Sequence, residues 1–250
     1  MKQQALQSFL DEKAIFYEQP QFIESDPIQI PHLFSKKADI EIAGFLTATI
    51  SWGNRKSILK SAHKMMAIMG HAPYDFIKNY QDTTLPHFVH RTFNSNDFHF
   101  LCLGLHHLYN EYADMDAFFG QLAGQNVAEK IHHFRNFMLA SPHEKRSEKH
   151  LSDPLKGSAA KRLHMFLRWM VRSARAGVDF GLWQSISPSE LSLPLDVHTG
   201  KIARKLGLLK RKQNDRKALE ELDLVLRKMD ATDPVRYDFA LFGLGAFEKF

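Results

Sequence analysis

Apolar residues recur at helical spacing through most of this chain. In one segment after another they return every three or four positions, which places them together on one face of a helix. No segment shows sustained alternation of apolar and polar residues, the pattern of a strand with one buried face. Short stretches with Gly, Pro, Asn or Asp separate these segments. The pattern therefore predicts an all-α fold in which strands are at most incidental.

The same spacing and breaks predict where the helices lie. One segment, residues 38–50, is apolar nearly all round, so we expect it to be a buried central helix. Residues 141–154 are polar, charged and bounded by prolines, which predicts a loop. The predicted helices are residues 4–17, 38–50, 56–69, 74–79, 97–112, 115–122, 125–139, 159–172, 196–206, 215–229 and 233–250.

Composition limits the class of protein. A hydrophobic content of 44% in 250 residues is enough for a full core and argues against disorder. No apolar run approaches the roughly 20 residues that span a bilayer, and the first residues carry acids where a signal peptide needs an apolar core. We therefore expect a cytoplasmic protein with no membrane partner.

The chain has a single cysteine, Cys102, which limits the kinds of metal site and disulfide that it can form. One cysteine excludes disulfides within the chain, cysteine-rich zinc sites and four-cysteine iron–sulfur clusters. The adjacent histidine pairs at 106–107 and 132–133 point apart on a helix, so they do not predict a metal site. We expect neither a metal nor a cofactor.

Positive charge is concentrated in two segments. Residues 145–175 carry a net charge of +7 and residues 196–217 carry +6, although the whole chain has only +5. The remainder therefore carries −8. A cation-rich face on an acidic body is typical of a protein that binds a polyanion. The alternative is a set of ordinary solvated helix faces.

The helix predicted at residues 159–172 has two different faces. At 100° per residue, Lys161, His164, Arg168 and Arg172 fall together on the polar face. We predict that this face lies beside phosphates, although any exposed helix can carry such a pattern. The opposite, apolar stripe consists of Leu163, Phe166, Leu167, Met170 and Val171.

Two residues with reactive side chains stand at predicted helix starts. Lys161 follows a turn of small residues, and Asp196 lies directly before a helical pattern, where its oxygen can cap free backbone N–H groups. An amine and a carboxylate at two helix N-termini form a candidate catalytic pair.

Three motifs resemble those of the helix-hairpin-helix DNA glycosylases. Residues 157–161 (Gly-Ser-Ala-Ala-Lys) are similar to the Gly-x-Gly-x-Lys turn that joins two helices in that superfamily. Residues 194–198 (Pro-Leu-Asp-Val-His) resemble its catalytic aspartate segment, and residues 51–55 (Ser-Trp-Gly-Asn-Arg) its polar turn that inserts into DNA. The likeness runs from about residue 36 to the C-terminus, with endonuclease III and the glycosylases for oxidised guanine as the nearest types, in a bacterial branch.

The resemblance implies a bilobal fold. Residues 36–175 would form a helical barrel lobe that ends in the hairpin, and residues 1–35 with 176–250 would form the second lobe. A damaged base would enter the cleft between the lobes, with Lys161 and Asp196 on opposite sides. The protein is expected to act as a monomer on double-stranded DNA, associated with the nucleoid.

The resemblance also implies an activity and a set of contacts. Lys161 would attack C1′ of the damaged nucleotide and form a Schiff base, which adds AP lyase activity to base excision. Asp196 would stabilise the positive charge that develops and assist deprotonation of the amine. The implied DNA contacts are Asn54, Arg55, Gly157, Ser158, Ala159, His164, Arg168, Arg172, His198 and Lys201.

The sequence also departs from the superfamily pattern. Ala159 replaces the second hairpin glycine, and the C-terminal four-cysteine cluster of many relatives is absent. Lys161 and Asp196 are 35 positions apart, which indicates an insertion at about residues 173–192. If the insertion fills the cleft, a non-catalytic DNA- or RNA-binding protein is favoured. An open cleft favours an enzyme on damaged DNA or on another flipped or single-stranded nucleic acid, including RNA.

Overall fold

The computed structural model describes residues 3–81, 84–122, 124–248 and 250. In these ranges the chain is predominantly helical, and its one sheet is an antiparallel pair, β1 (Val89–His90) with β2 (Phe93–Asn94). The all-α prediction is confirmed, and all helices but the last begin within two residues of the predicted position. They are α1 (Gln3–Tyr17), α2 (Lys37–Thr49), α3 (Arg55–Ile68), α4 (Pro73–Lys78), α5 (Ser95–Glu111), α6 (Met115–Gly120), α7 (Val127–Leu139), α8 (Lys161–Val171), α9 (Val197–Lys205), α10 (Arg216–Met229) and α11 (Tyr237–Ala246).

Side-chain caps explain why several helices begin where they do. The Asn54 side chain accepts a hydrogen bond from the Ser57 N–H at 3.3 Å, and Asp196 accepts one from the Thr199 N–H at 2.9 Å. Each cap satisfies a backbone N–H that has no partner within the helix. The prediction that Asp196 caps a helix is therefore confirmed. Further caps of this kind are Asn94, Asp114, Asn126 and Asp215.

Helix α2 forms the centre of the first hydrophobic core. Its residues 40–49 are all buried, as the all-round apolar sequence predicts. The Phe45 ring contacts Phe134 of α7 and Phe166 of α8, with ring centroids 5.3 and 5.7 Å apart. Helices α2 to α8 contribute to this core, and α8 packs directly along α2.

The second core is formed by α1, α9, α10 and α11 together with residues 193–195. Leu10, Ile202, Leu222 and Leu241 are fully buried within it. Helices α1 and α11 approach closely at Gly243, where an added Cβ would lie 2.2 Å from the Tyr17 ring. The close approach of α1 and α11 thus depends on a glycine at this contact.

Some residues predicted for the second lobe pack instead in the first core. They include Ile28, Ile30, Val178 and Trp183. The Trp183 indole N–H donates to the buried Glu41 carboxylate on α2 at 2.7 Å. Apolar side chains need burial and a buried indole N–H needs an acceptor, and α2 provides both. In packing, the first core therefore extends beyond residues 36–175.

The segment before α8 is more regular than predicted. Residues 141–154, expected to be a loop, contain the 3-10 helix Lys145–His150, and a second one, Pro154–Lys156, precedes the turn. Gly157 and Ala160 both adopt positive φ, 92° and 41°. The turn at residues 157–161 thus joins a three-residue 3-10 helix to α8, so the prediction of a turn between two full helices holds only on the α8 side.

The described part of the chain has no helix long and apolar enough to cross a bilayer. In the same ranges, no three His, Cys, Asp or Glu side chains are grouped so that they could hold a metal ion. Cys102 is fully buried in the first core, and burial raises the pKa of its thiol well above the usual value. We therefore assign Cys102 a packing role.

Candidate active site

A cleft of about 870 Å³ opens between the two cores. Residues 51–55, α8, the start of α9, α11 and the segment after α1 form its walls. Ligand sites of enzymes are typically concave and mostly apolar, with a few convergent polar groups. The apolar side chains of this cleft include Phe22, Trp52, Met165, Phe242 and Phe247.

Lys161 and Asp196 meet in the wall of this cleft. Lys161 is the first residue of α8, and its Nζ lies 3.8 Å from Oδ2 of Asp196. The other carboxylate oxygen of Asp196 caps α9. The two side chains remain 30% and 24% exposed. They are thus direct neighbours, and not on opposite sides of the cleft as predicted.

Asn214, in the loop before α10, and Arg216, the first residue of α10, fix the two helix starts relative to each other. The Arg216 N–H donates to the Gly157 carbonyl at 3.0 Å, which holds the turn that leads into Lys161. The Asn214 side-chain amide donates to the Asp196 carbonyl at 2.9 Å. Because neighbouring residues bind both segments, the backbones that carry Lys161 and Asp196 are held close together.

A second carboxyl group, Asp238 on α11, also lines the cleft. It is buried and accepts a hydrogen bond from the Arg168 guanidinium. Burial raises the pKa of Asp238 to about 6; Arg168 opposes this shift, and the nearby Asp196 carboxylate adds to it. The cleft therefore contains a carboxyl group that titrates close to neutral pH.

A third carboxyl group, Asp26, lies in the wall of the cleft beside Arg55. One oxygen accepts from the Ile28 N–H at 3.1 Å, and the other is 3.6 Å from the Arg55 guanidinium. Burial raises the pKa of Asp26, and Arg55 opposes this shift. Arg55 also lies 5.0 Å from the centre of the Phe242 ring. Sequence reasoning identified Arg55 but missed Asp26 and Phe242, whose positions before a proline and in an apolar helix gave no sign of a cleft.

Three predicted DNA contacts on α8 are almost fully buried. His164, Arg168 and Arg172 are only 2%, 4% and 4% exposed. Arg168 reaches no further than the cleft, where it pairs with Asp238, and Arg172 donates to Asp179 at 2.6 Å. Burial lowers the pKa of His164 to about 4. The expected exposure of these three side chains is therefore wrong, because Arg168 and Arg172 face carboxylates of the protein and His164 is buried, whereas Lys161 of the same stripe remains 30% exposed.

The remaining predicted contacts differ in accessibility. Ala159 is 6% exposed, and its methyl group packs in the second core. Its side chain is therefore not available to DNA. Ser158 is partly buried, and its hydroxyl accepts from the Ala160 N–H at 3.0 Å. The exposed members of the set are Asn54, Gly157, His198 and Lys201.

The insertion does not fill the cleft. None of the residues that line the cleft belongs to residues 173–192. The large apolar side chains of that segment, Val178, Trp183, Ile186 and Leu191, pack in the first core. The cleft beside Lys161 and Asp196 is therefore open.

Comparison with known proteins identifies a family that most of the chain matches. The model of a family described as "Protein of unknown function (DUF2400)" matches residues 26–247. No curated protein and no solved structure matches the chain. The matched range contains Lys161, Asp196 and most of the residues that line the cleft.

Proposed function

The chain belongs to the DUF2400 family of proteins of unknown function, and from the geometry of its cleft we propose that it is a DNA glycosylase with AP lyase activity. The proposed substrate is double-stranded DNA that contains a damaged base, with oxidised bases as the first candidates. In this proposal the two cores correspond to the lobes of a helix-hairpin-helix glycosylase fold. The protein acts as a monomer on nucleoid DNA and needs no cofactor.

One observation carries the proposal: Lys161 and Asp196 are 3.8 Å apart in an open cleft. A nucleophilic amine needs a nearby group that can take its proton, and a cleft that admits the reacting atom. The exposed fractions of both side chains leave room for that atom.

The cleft has the size and lining for a nucleotide that has left the base stack. Extrusion of a base costs a few kcal/mol, and damage to the base or its pairing lowers that cost. Trp52, Phe22 and Phe242 provide apolar surface for the extruded base, while the carboxyl groups of Asp26 and Asp238 provide polar contacts. Water would be excluded from the same volume once the base fills it.

The chemical step assigned to Lys161 is attack on C1′ of the extruded nucleotide. As Nζ bonds to C1′, the glycosidic bond breaks and its electrons leave with the base, which takes up a proton. Opening of the sugar ring converts the adduct to a Schiff base. Loss of a C2′ proton from the Schiff base then expels the 3′ phosphate and nicks the strand.

The role assigned to Asp196 is electrostatic and acid–base. Its Oδ2 faces Nζ of Lys161 and can accept the proton that the amine must lose. Its negative charge also stabilises the positive charge that develops on the sugar as the glycosidic bond breaks. The cap to Thr199 keeps the carboxylate in this position.

The turn before α8 supplies the proposed phosphate contact. Gly157 is exposed, so a phosphate can approach the turn closely. The N–H groups of Lys161 and Arg162 are the first two of α8 and have no partner within the helix. Free N–H groups and the helix dipole together favour an anion at this position.

Borohydride trapping on a lesion panel tests the proposal. Duplex oligonucleotides that each carry one oxidised, alkylated, deaminated or abasic nucleotide are incubated with the protein and borohydride. We expect the wild type to form a covalent adduct with at least one duplex and Lys161→Gln to form none. Lys228→Gln removes an exposed lysine at the far end of α10 and should trap like the wild type. Equal trapping by Lys161→Gln and the wild type would overturn the assignment.

The rival function is a non-catalytic nucleic-acid-binding protein. A filled cleft would favour it, but the cleft is open and an amine and a carboxylate meet in its wall. If the wild type binds duplex DNA but forms no adduct and excises no base from any duplex of the panel, the rival function is the correct one.

A further inference from the structure

Helix α3 presents a basic surface outside the two cation-rich segments of the chain. Ile58, Ala62, Met65 and Met66 are buried, which fixes the inward face of the helix. The chain has no acidic residue from position 42 to position 74. The exposed outward side chains include Lys56, Lys60, His63 and Lys64. This face is therefore positive without any acid of its own helix to neutralise it.

The hairpin of β1 and β2 extends this surface and is fixed to it. The buried His90 contacts the Ser61 hydroxyl at 2.9 Å and the Trp52 carbonyl at 3.3 Å through its two ring nitrogens. The Lys64 ammonium donates to the His87 carbonyl at 2.8 Å. These bonds hold the hairpin on α3. We call Lys56, Lys60, His63, Lys64, His87, Val89 and Arg91 the α3–hairpin face.

The hairpin tip adjoins the mouth of the cleft. Arg91, at the tip, is exposed and adopts a positive φ of 55°. Its guanidinium covers Gly53, where an added Cβ would lie 2.8 Å from a guanidinium nitrogen. Gly53 and its neighbour Trp52 line the cleft. The α3–hairpin face is thus continuous with the cleft wall formed by residues 51–55.

We propose that the α3–hairpin face binds the phosphate backbone of duplex DNA beside the mouth of the cleft. This inference rests on the DNA-binding part of the proposed function. Lys56, Lys60 and Lys64 recur about every 6 Å along the helix. A DNA strand presents one phosphate about every 3.4 Å along its axis, so each lysine can reach a different phosphate.

The surface fits a nucleic-acid backbone better than a lipid surface. A helix that lies on a membrane must bury an apolar face in the lipid. The apolar face of α3 is buried in the protein, and α3 contributes none of the exposed large apolar residues of the described chain. Val89 is the one such residue on the α3–hairpin face, at 52% exposure. A single apolar side chain among cations can contact deoxyribose or base edges.

The test is a salt titration of binding to an undamaged duplex, followed by fluorescence anisotropy. Each lysine–phosphate contact contributes about 0.9 to the slope of log K against log salt. Lys56→Gln/Lys60→Gln should therefore make the slope of log K against log salt less steep by about 1.8. The same variant should weaken binding about 60-fold at 0.1 M salt. Arg91→Asn removes the cation at the tip while Asn tolerates the positive φ, and it should lower the steepness by about 0.9.

Two controls isolate the position of the charge. Lys36→Gln/Lys228→Gln removes two positive charges at residues that neither line the cleft nor belong to the α3–hairpin face, and its slope should equal that of the wild type. Lys56→Arg/Lys60→Arg keeps the charge and should keep the affinity.

The outcomes separate this inference from the proposed enzyme function. The inference is overturned if the slope of log K against log salt falls equally in both double glutamine variants, or in neither. In either case the α3–hairpin face is not a specific contact. If the wild type does not bind the duplex at low salt, the inference and the proposed function both fail. If Lys56→Gln/Lys60→Gln alone weakens binding and no lesion is ever excised, the inference stands and the enzyme function fails.

Discussion

Replacement of Arg168 by methionine should destabilise the protein without weakening DNA binding directly. Arg168 donates to Asp238, has its Nε 3.4 Å from the Asp179 carboxylate, and lies 4.5 Å from the centre of the Phe239 ring. Its 4% exposure leaves almost no surface for a phosphate. The variant leaves Asp238 buried without this partner, whereas Asp179 keeps its bond to Arg172.

The magnitude follows from the loss of one partner of a buried ion pair, which costs about 3–5 kcal/mol. For a chain of this size, each kcal/mol lowers Tm by about 2–4 °C, so we expect a fall of about 6–20 °C at pH 8. The cost should be smaller at pH 5. Burial already raises the pKa of Asp238 to about 6, and loss of Arg168 raises it further, so the folded variant binds a proton as pH falls.

The assay is thermal or urea unfolding of the wild type and two variants at pH 5 and pH 8. Arg168→Met/Asp238→Asn removes both charges and should recover most of the stability that Arg168→Met loses. DNA affinity is measured below the unfolding temperature of each variant. The reasoning is refuted if Arg168→Met loses less than about 1 kcal/mol at pH 8, or if the double variant is no more stable than the single one.

Three further predictions follow from the same contacts. Asp196→Asn should keep the helix cap and the Tm, because Asn also caps well, but should lower base excision by at least about 100-fold in single-turnover assays. Burial raises the pKa of Glu41 to about 7, so folding favours the protonated form. The contribution of Glu41 to the free energy of unfolding should therefore be greatest below pH 4.5 and fall by about 3 kcal/mol as pH rises to 7. In urea titrations, the free energy of unfolding of Glu41→Gln should depend less on pH than that of the wild type. Gly243→Ala should lower stability by about 1–3 kcal/mol, because its Cβ would lie 2.2 Å from the Tyr17 ring. Gly120→Ala, whose Cβ would lie 3.5 Å from the Ser185 Cβ, should be nearly neutral in the same unfolding assay.

The helices and several of their caps could be predicted from the sequence because their signals are local. Apolar spacing located the helices, and Asp196 was recognised as a cap from the residues beside it. The hairpin of β1 and β2 was missed because each strand has only two residues, too few to show alternation. Its position depends on tertiary bonds of His90, which leave no pattern in the sequence.

The candidate site was only partly predictable. The closeness of Lys161 and Asp196 depends on the loop before α10 and the first residue of that helix, which hold both segments. The exposure of Arg168 and Arg172 was misassigned because a helical pattern cannot distinguish water from carboxylates that other segments supply. One signal could have corrected this. Asp238 lies within the apolar sequence of α11, and a carboxyl group buried there needs a cation such as Arg168 as its partner.

The most direct test of the proposed function is to locate the covalent bond between protein and DNA. The adduct formed under borohydride with a lesion-containing duplex is digested with protease and nuclease, and the modified peptide is identified by mass spectrometry. We predict a single reduced adduct on Nζ of Lys161, at the start of α8 and beside Asp196. An adduct on another lysine or on the N-terminal amine would contradict the assignment of Lys161 as the nucleophile, and no adduct with any lesion would contradict the proposed lyase chemistry.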